Sequence, residues 1–440
     1  MTQTLAVIDI GSNTFTLAVY RGTREGGLDR IAQEGAALKL IRQIGADGRL
    51  PASAIKSTVD TIRRFRDRAS SMGATSIEVV ATSAVRDAAN QDELLAAVRV
   101  VGVPIRILDG ESEGVCAVVS AVNMLPLSEG FVVDQGGGSM QIAHVTTRRA
   151  RQVVSLPLGA LRLTDRFFTT DPPDAAAVTA LRRHLQTALA PIRWFNAGSG
   201  GTLVGVGGSL RALAKMDRRL RAWPLAAGHG YVLTVDAIEA IWEQTSRAPA
   251  AFRAAMPGLA SHRVETVAAA AMTFLTLMRG GGFDTLTVSS YGIREGVAFR
   301  RLFGDEADGL VPDVRLAGLT SRFPKGRPVL AARRLAEAGG LDPAIAFAVA
   351  WLLPLGGDAV ARLRDAPLPG YTQAEVLGVI DVLTGGFHVL AARARERLRL
   401  VAEVALADPL ARVEQGRVVA TVDDRLRDRL GEILGDAGRT

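Results

Sequence analysis

Two segments of the chain share one local design: an apolar run with an aspartate at or next to its end, a polar turn containing glycine, and a second apolar run. The first is LAVIDI-GSNT-FTLAVY, and the second is FVVD-QGGGS-MQIAHV. Apolar runs flanking a short polar turn predict two β-hairpins. Asp9 and Asp134 occupy equivalent places in them. This repetition indicates an internal duplication of a mixed α/β unit, with a ligand cleft where the two turns face each other.

The order of apolar and helical patterns divides the 440 residues into three parts. Strand-like and helical runs alternate through residues 1–125 and restart over residues 126–304. Over residues 305–440 strand-like runs become rare, and helical stretches are punctuated by prolines. We therefore predict two duplicated α/β domains with a cleft between them, followed by an all-helical C-terminal domain.

Composition excludes several classes of protein. The single cysteine, Cys116, rules out a disulfide framework within the chain and a cysteine zinc site, and it favours a reducing compartment. The most apolar helical stretch, residues 264–278, is shorter than the roughly 20 residues of a membrane span. The N-terminus lacks the pattern of a signal peptide. We therefore expect a cytoplasmic protein without a membrane partner.

The charge balance favours a polyanionic ligand. The net charge of +7 fits such a partner but does not identify it. Aromatic residues make up only 5% of the chain, which is few for a protein that stacks many bases, so nucleic acid is not expected. The five histidines lack the spacing of a metal-binding pair.

The two turns have the chemistry of a phosphate site. Glycines allow close approach of a ligand, and successive N–H groups form an anion-binding nest. In residues 11–14 hydroxyl and amide side chains add donors, and three glycines follow Gln135 in the second turn. An ordinary hairpin turn is the alternative for the first motif alone. Two turns, each preceded by one carboxylate, suit a phosphate with a divalent cation.

Three further motifs lie at predicted strand-to-helix junctions. Glu113 lies in DGESEG (109–114), where acids usually complement a helix dipole but could supply a general base. Ser83 and Arg86 lie in TSAVRD (82–87), which is either an N-cap or an anion site. GVGGS (205–209) is neither a dinucleotide fingerprint nor a Walker loop, so tight strand–helix packing and anion binding both stay open.

Taken together, these motifs resemble the exopolyphosphatase/guanosine-pentaphosphate phosphatase (Ppx/GppA) family, within the acetate kinase–Hsp70–actin superfamily. The matching segments lie in order across residues 5–300 and include AVIDIGSNTFTLAVY, VVATSAVRDAAN, ILDGESEG, VVDQGGGSMQI, SLPLGALRLTDRF, VGVGGSLRALAKM, MPGLASHRVETV and SSYGIREGV. The resemblance implies two RNase H-like domains around an interdomain cleft. It extends less clearly beyond residue 303, where His388 is followed by Val389 rather than by the aspartate of a metal-binding HD pair.

The resemblance also implies roles for individual residues. Glu113 aligns with the carboxylate that activates water, and Arg86 aligns with an arginine that binds phosphate. Asp9, Asp134 and Gln141 would hold Mg²⁺. The remaining candidates for phosphate binding are Gly11, Ser12, Asn13, Thr14, Ser83, Gly136, Gly137, Gly138, Ser139, Gly207, Gly208, Ser209 and Arg263.

Three positions depart from the family pattern. Ser112-Glu113 replaces a pair of glutamates, Gln135 replaces an apolar residue, and Gln141 replaces a glutamate that helps to bind metal or water. An amide binds a hard cation more weakly than a carboxylate does. These changes are expected to affect how strongly the protein depends on a metal ion and how fast it hydrolyses its substrate.

The first functional hypothesis is an exopolyphosphatase that releases orthophosphate from the end of inorganic polyphosphate. The second is the same chemistry on guanosine pentaphosphate, although the sequence shows no recognisable set of residues that would contact the guanine base. The third, motivated by Gln135 and Gln141, is a weakly catalytic regulator that binds polyphosphate or nucleotide. The helical tail is expected either to form a homodimer or to lengthen a basic channel.

Overall fold

The computed structural model describes residues 3–23, 27–196, 201–304, 313–323, 325–326, 329–338, 340–366, 368–414, 417–420, 422, 426 and 429. The chain divides into two compact units. The first comprises Met1–Trp223 and Gly230–Pro312, and the second comprises Pro224–His229 and Asp313–Thr440.

The first unit begins with a five-stranded sheet, which we call the N-terminal sheet. Its strands are β1 (Gln3–Ile10), β2 (Phe15–Thr23), β3 (Gly27–Ala36), β4 (Ser76–Ala81) and β5 (Ile105–Ile107). They lie in the order β3-β2-β1-β4-β5, with β1–β3 antiparallel and β4 and β5 parallel to β1. The first predicted hairpin is thus confirmed, and Asp9 pairs with Thr16 near its turn.

The second sheet repeats this plan and adds a strand. Its six strands are β6 (Gly130–Gln135), β7 (Met140–Thr146), β8 (Arg149–Leu156), β9 (Leu203–Val206), β10 (Tyr231–Thr234) and β11 (Thr285–Val288). The order is β10-β11-β9-β6-β7-β8, in which β6–β8 are antiparallel and β9 runs parallel to β6. Asp134 pairs with Gln141 across the second hairpin.

Helices cover both sheets of the first unit. They are α1 (Ala52–Ser71), α2 (Ser83–Arg86), α3 (Gln91–Arg99), α4 (Gly110–Met124), α5 (Ala160–Phe167), α6 (Ala175–Leu189), α7 (Arg193–Asn196), α8 (Gly208–Leu220), α9 (Val235–Arg247), α10 (Ala250–Ala254), α11 (Val267–Gly281) and α12 (Ile293–Phe303). One apolar cluster packs the N-terminal sheet against α1 and α3, and another packs the second sheet against α6, α8, α9 and α11.

Helices α4 and α12 connect the two sheets. Helix α12 follows β11 of the second sheet, yet it packs against α4 and β1. The two helices cross closely at Gly296, where a Cβ would lie 2.0 Å from the carbonyl oxygen of Cys116. Helix α4 begins at its N-cap Asp109, whose carboxylate accepts the Ser112 N–H at 2.7 Å. This cap fixes the first turn of α4, which contains Glu113.

Some predicted boundaries differ from the structure. The apolar helical stretch of residues 264–278 forms a helix only from Val267, where α11 begins, and it is preceded by a 3-10 turn over Ser261–Arg263. Strand β3 was missed by the apolar pattern because its Gln33, Glu34 and Gly35 are polar or small.

The second unit is mainly helical. Its helices are α13 (Val314–Arg322), α14 (Leu330–Ala338), α15 (Pro343–Leu352), α16 (Gly357–Asp365), α17 (Gln373–Thr384) and α18 (Ala392–Ala407). A short antiparallel ribbon of β12 (Arg412–Glu414) and β13 (Arg417–Val419) adds to the predicted helices. Within the described residues, no helix is both long and apolar enough to span a bilayer.

A buried aspartate organises the turn between α17 and α18. The carboxylate of Asp381 accepts the N–H groups of His388 and Leu390 at 2.9 Å each, and it pairs with Arg395 at 3.1 Å. Asp381→Asn should lower the unfolding free energy of the second unit by about 3 kcal/mol, because it leaves Arg395 without its charged partner. Calorimetry of the full chain checks this, with the exposed Asp358→Asn as control; an equal loss in both variants would contradict it.

Candidate active site

A cleft of about 400 Å³ lies where the turns of the two sheets meet. The turn after β1 (residues 11–14), which we call the first turn, lines one side. The turn between β6 and β7 (residues 136–139), the second turn, lines the other, together with the start of α8. The carboxylates of both hairpins therefore face one cavity.

Hydroxyl groups hold the first turn against helix α2. The Oγ atoms of Ser12 and Ser83 lie 2.7 Å apart, and the Ala84 N–H donates to Ser12 Oγ at 3.2 Å. Asn13 Nδ2 and Thr14 Oγ1 are buried, and no residue that the structure describes is their hydrogen-bond partner. Buried donors without partners are rare in native proteins, so they indicate a place for a ligand or water.

The second turn contacts the first turn at Gly138. A Cβ on Gly138 would lie 2.2 Å from Ser83 Oγ and 2.8 Å from Ser12 Oγ. The carbonyl oxygen of Gly137 accepts the N–H groups of Leu161 and Arg162, both at 3.0 Å. Because the carbonyls of the turn point towards α5, helix formation there helps to fix the turn next to Ser12 and Ser83.

A third glycine turn joins β9 to α8. Gly207 has a φ of 93°, and a Cβ there would lie 2.5 Å from Asp134 Oδ1. This conformation and this close approach both require glycine. Arg263 Nη2 lies 2.1 Å from the position of a Cβ on Gly208, so the guanidinium packs on the start of the helix. Ser209 Oγ is buried and forms no hydrogen bond within the described ranges of the chain.

Two buried carboxylates lie at the ends of β1 and β6. Burial raises the pKa of Asp9, although Arg294 opposes that shift through its charge and a 3.2 Å hydrogen bond. Burial also raises the pKa of Asp134 to about 6; the Arg211 charge opposes this, and the Asp9 charge adds to it. The two carboxylates therefore form a site where a bound cation would relieve repulsion.

Glu113 is almost completely buried on α4. Burial raises its pKa to about 7, and its ion pair with Arg86 opposes that rise. Arg86 Nη1 donates both to Glu113 Oε1 and, at 2.7 Å, to the carbonyl oxygen of Leu108. A carboxylate with a pKa near 7 has the proton affinity expected of a general base at neutral pH.

Hydrogen bonds fix the orientation of the two glutamines. The amide nitrogen of Gln141 lies 3.1 Å from Ser139 Oγ and 2.9 Å from Ser155 Oγ, and it donates to both. Gln135 Nε2 donates to the carbonyl oxygen of Leu158 at 3.0 Å, and its buried Oε1 accepts from none of the described residues. Gln141 lines the cleft, so its oxygen is the group available to a ligand.

The chemistry of these donors fits a magnesium ion. Asp9 Oδ1 is buried and has no hydrogen-bond partner among the described residues, and Asp134 lies in the same cleft. Within the described part of the chain, no group of three or more histidine, cysteine, aspartate or glutamate side chains could hold a metal ion. Mg²⁺ commonly uses one or two carboxylates and takes its other oxygens from substrate phosphates and water. Asp9 and Asp134, with the Gln141 amide, match that set.

The structure brings most of the predicted site residues to the cleft. Those that line it are Asp9, Gly11, Ser12, Asn13, Thr14, Ser83, Glu113, Asp134, Gly136, Gly137, Gly138, Ser139, Gln141, Gly207, Gly208 and Arg263. Arg86 and Ser209 do not line it, although Arg86 contacts Glu113.

Four basic residues of the cleft were not among the predicted site residues. They are Arg211, Lys215, His262 and Arg294. Arg211 and Lys215 are four residues apart on α8 and so share one helix face. That spacing could have predicted a shared basic face on α8. No pattern of neighbouring residues indicated that Arg294 contacts Asp9.

Sequence comparison identifies relatives of this chain. The model of the Ppx/GppA phosphatase family matches residues 19–303. Exopolyphosphatase 1 of Mycobacterium leprae is 32% identical over 312 residues, which is 69% of this chain and 91% of that protein. Exopolyphosphatase 1 of Mycobacterium tuberculosis is 31% identical, over 69% of this chain and 90% of the relative.

Solved structures show the same fold. A Ppx/GppA family member from Aquifex aeolicus aligns with a TM-score of 0.60 and 29% identity, covering 68% of this chain and 97% of its own. An exopolyphosphatase from Cytophaga hutchinsonii aligns with a TM-score of 0.64 at 23% identity, and the alignment covers 69% of this chain and 99% of that structure. These alignments confirm the predicted fold class. The chain belongs to the Ppx/GppA phosphatase family.

Proposed function

We propose that this chain is an exopolyphosphatase that hydrolyses the terminal phosphoanhydride of inorganic polyphosphate. The observation that carries the proposal is the buried Glu113, whose pKa is raised to about 7 in a cleft lined by two glycine turns and two aspartates. The matched relatives named exopolyphosphatase support the choice of substrate. The family itself supports hydrolytic phosphatase activity.

The terminal phosphate would lie against the first and second turns. Their N–H groups and the free donors of Asn13 and Thr14 are suited to its oxygens. Arg263, whose guanidinium packs on the start of α8, would bind a phosphate oxygen further along the polyphosphate chain. Binding by backbone N–H groups and an arginine recognises phosphate without reading a base.

Glu113 would act as the general base. Its carboxylate accepts a proton from water while the water oxygen bonds to the terminal phosphorus. The bond from that phosphorus to the bridging oxygen breaks, and the shortened chain leaves with the negative charge. Arg86 orients Glu113 through its ion pair, and the Leu108 carbonyl holds Arg86 in place.

Asp9, Asp134 and the oxygen of Gln141 would hold Mg²⁺ next to the phosphate. When bound, the ion would neutralise phosphate charge in the transition state. The amide of Gln141, fixed by Ser139 and Ser155, is a neutral donor, so the protein contributes two negative charges to the ion.

Phosphate release from long-chain polyphosphate and from guanosine pentaphosphate, with and without Mg²⁺, tests the proposal on one preparation. We expect Mg²⁺-dependent release with the higher kcat/KM on polyphosphate. A higher kcat/KM on the nucleotide would assign the sister activity instead. Tight binding without release from either substrate would favour the regulator, and in that case Gln141→Glu should raise turnover.

A further inference from the structure

The two oxygens of Asp9 have different surroundings. Oδ2 accepts a hydrogen bond from Arg294 Nη1 at 3.2 Å. Oδ1 is buried, and no described residue donates to it. A Cβ on Gly11 would lie 3.9 Å from Oδ1, so this oxygen is on the side of the first turn. Arg294 thus occupies one oxygen of Asp9 and leaves the other for a ligand.

Arg294 is itself held in a restricted position. Both side chains of the ion pair are largely buried, with 11% of Arg294 and 14% of Asp9 exposed. Arg294 lies in the first turn of α12, directly before Glu295. Rotation of the guanidinium away from Asp9 would leave a buried charge without its partner, which is costly.

Glu295 anchors the first turn of α12 to the N-terminal sheet. Its carboxylate accepts the Tyr20 hydroxyl at 2.6 Å, Arg30 Nη1 at 3.2 Å and the Gly292 N–H at 2.7 Å. Tyr20 is on β2 and Arg30 on β3, and β2 is paired with β1. The helix that presents Arg294 is therefore attached to the same sheet that presents Asp9, which fixes the distance between them.

We infer that Arg294 is a positioning residue that makes Asp9 a one-oxygen ligand and thereby favours Mg²⁺ over Ca²⁺ in the cleft. This inference rests on the proposed function, in which Asp9 binds the cation. Mg²⁺ requires near-octahedral geometry at short distances and is satisfied by single oxygens, whereas Ca²⁺ takes six to eight oxygens and readily uses both of one carboxylate. Because Oδ2 already accepts a hydrogen bond from Arg294, binding of Ca²⁺ to this second oxygen would compete with that hydrogen bond.

Arg211 provides a matched control. It also lines the cleft, and its charge acts on both Asp9 and Asp134. Within the described part of the chain, its side chain donates to the carbonyl oxygen of Ser290 at 3.5 Å and not to either aspartate. Removing Arg211 therefore changes the electrostatic potential for both cations alike and leaves the orientation of Asp9 unchanged.

The test measures cation binding directly on the metal-stripped full chain. Bound Mn²⁺ is followed by electron paramagnetic resonance, and Mg²⁺ and Ca²⁺ are titrated as competitors. In Arg294→Met we expect the ratio of Ca²⁺ to Mg²⁺ affinity to rise about tenfold, within the usual range of coupling between two sites. Arg294→Lys keeps the charge without the guanidinium geometry and should give a smaller rise. Arg211→Met should change both affinities together.

Circular dichroism and thermal melting identify which variants fold, and Arg294→Lys replaces Arg294→Met if the latter does not. A wild-type ratio in a folded Arg294 variant overturns the inference, as does an equal rise in Arg211→Met. Neither result would argue against the proposed exopolyphosphatase activity. Absence of Mn²⁺ binding by the wild-type chain, together with absence of phosphate release, would instead reject the proposed function.

Discussion

Glu113→Gln should lower kcat for phosphate release by about 10³-fold, within the range of 10²–10⁴ for loss of a general base. The substitution keeps the size of the side chain and an oxygen that can accept from Arg86, so the buried contact of α4 is retained. The amide cannot take a proton from the attacking water. Substrate binding should change little, because the loss concerns the transition state.

Steady-state phosphate release measures the effect, and circular dichroism checks the fold. Glu111→Gln is the matched control, because Glu111 is exposed on the first turn of the same helix. It should retain wild-type kcat. A Glu113→Gln protein that releases phosphate at the wild-type rate would show that another group activates the water.

The pH dependence of kcat/KM should also report the ionisation of Glu113. Burial raises the pKa of Glu113 to about 7, against the opposing charge of Arg86 and with additional repulsion from Asp134 and Asp9. A base acts only in its deprotonated form, so kcat/KM should rise with pH through about 7 and level off above it. This step should be missing from the residual activity of Glu113→Gln.

Asp134→Asn should lower kcat/KM by about 10²-fold or more and raise the Mg²⁺ concentration required for half-maximal rate. Asparagine fits the same space at the end of β6 but removes one of the two charges available to the cation. Because burial disfavours the ionised form of Asp134, the metal-free Tm should not fall. A loss of activity at an unchanged or higher Tm distinguishes a functional role from a structural one.

Titration of activity with Mg²⁺ and thermal melting in the absence of metal give the two readouts. Asp236→Asn removes a carboxylate from the exposed side of α9 and is the control for net charge. It should match the wild type in both. Wild-type Mg²⁺ dependence in Asp134→Asn would exclude Asp134 as a ligand.

Local patterns were sufficient for much of this fold. Each hairpin was predicted from an apolar run, a glycine turn and a second apolar run, and these signals come from neighbouring residues. Strand β10 was missed because it is a short edge strand with an exposed Val232. Edge strands bury one side less completely, so their apolar pattern is weaker. The proposed boundaries 1–125, 126–304 and 305–440 stay predictions.

Short sequence motifs were enough to identify the two Asp-x-Gly hairpins, the helix start that contains Glu113 and, through the order of the motifs, the family. All of these depend on residues close together along the chain. The contact of Gly138 with Ser12 and Ser83, and the hydrogen bond from Arg294 to one oxygen of Asp9, are visible only in the folded chain. These contacts join residues far apart in sequence, and they form because α4 and α12 pack the two sheets together, which no local pattern encodes.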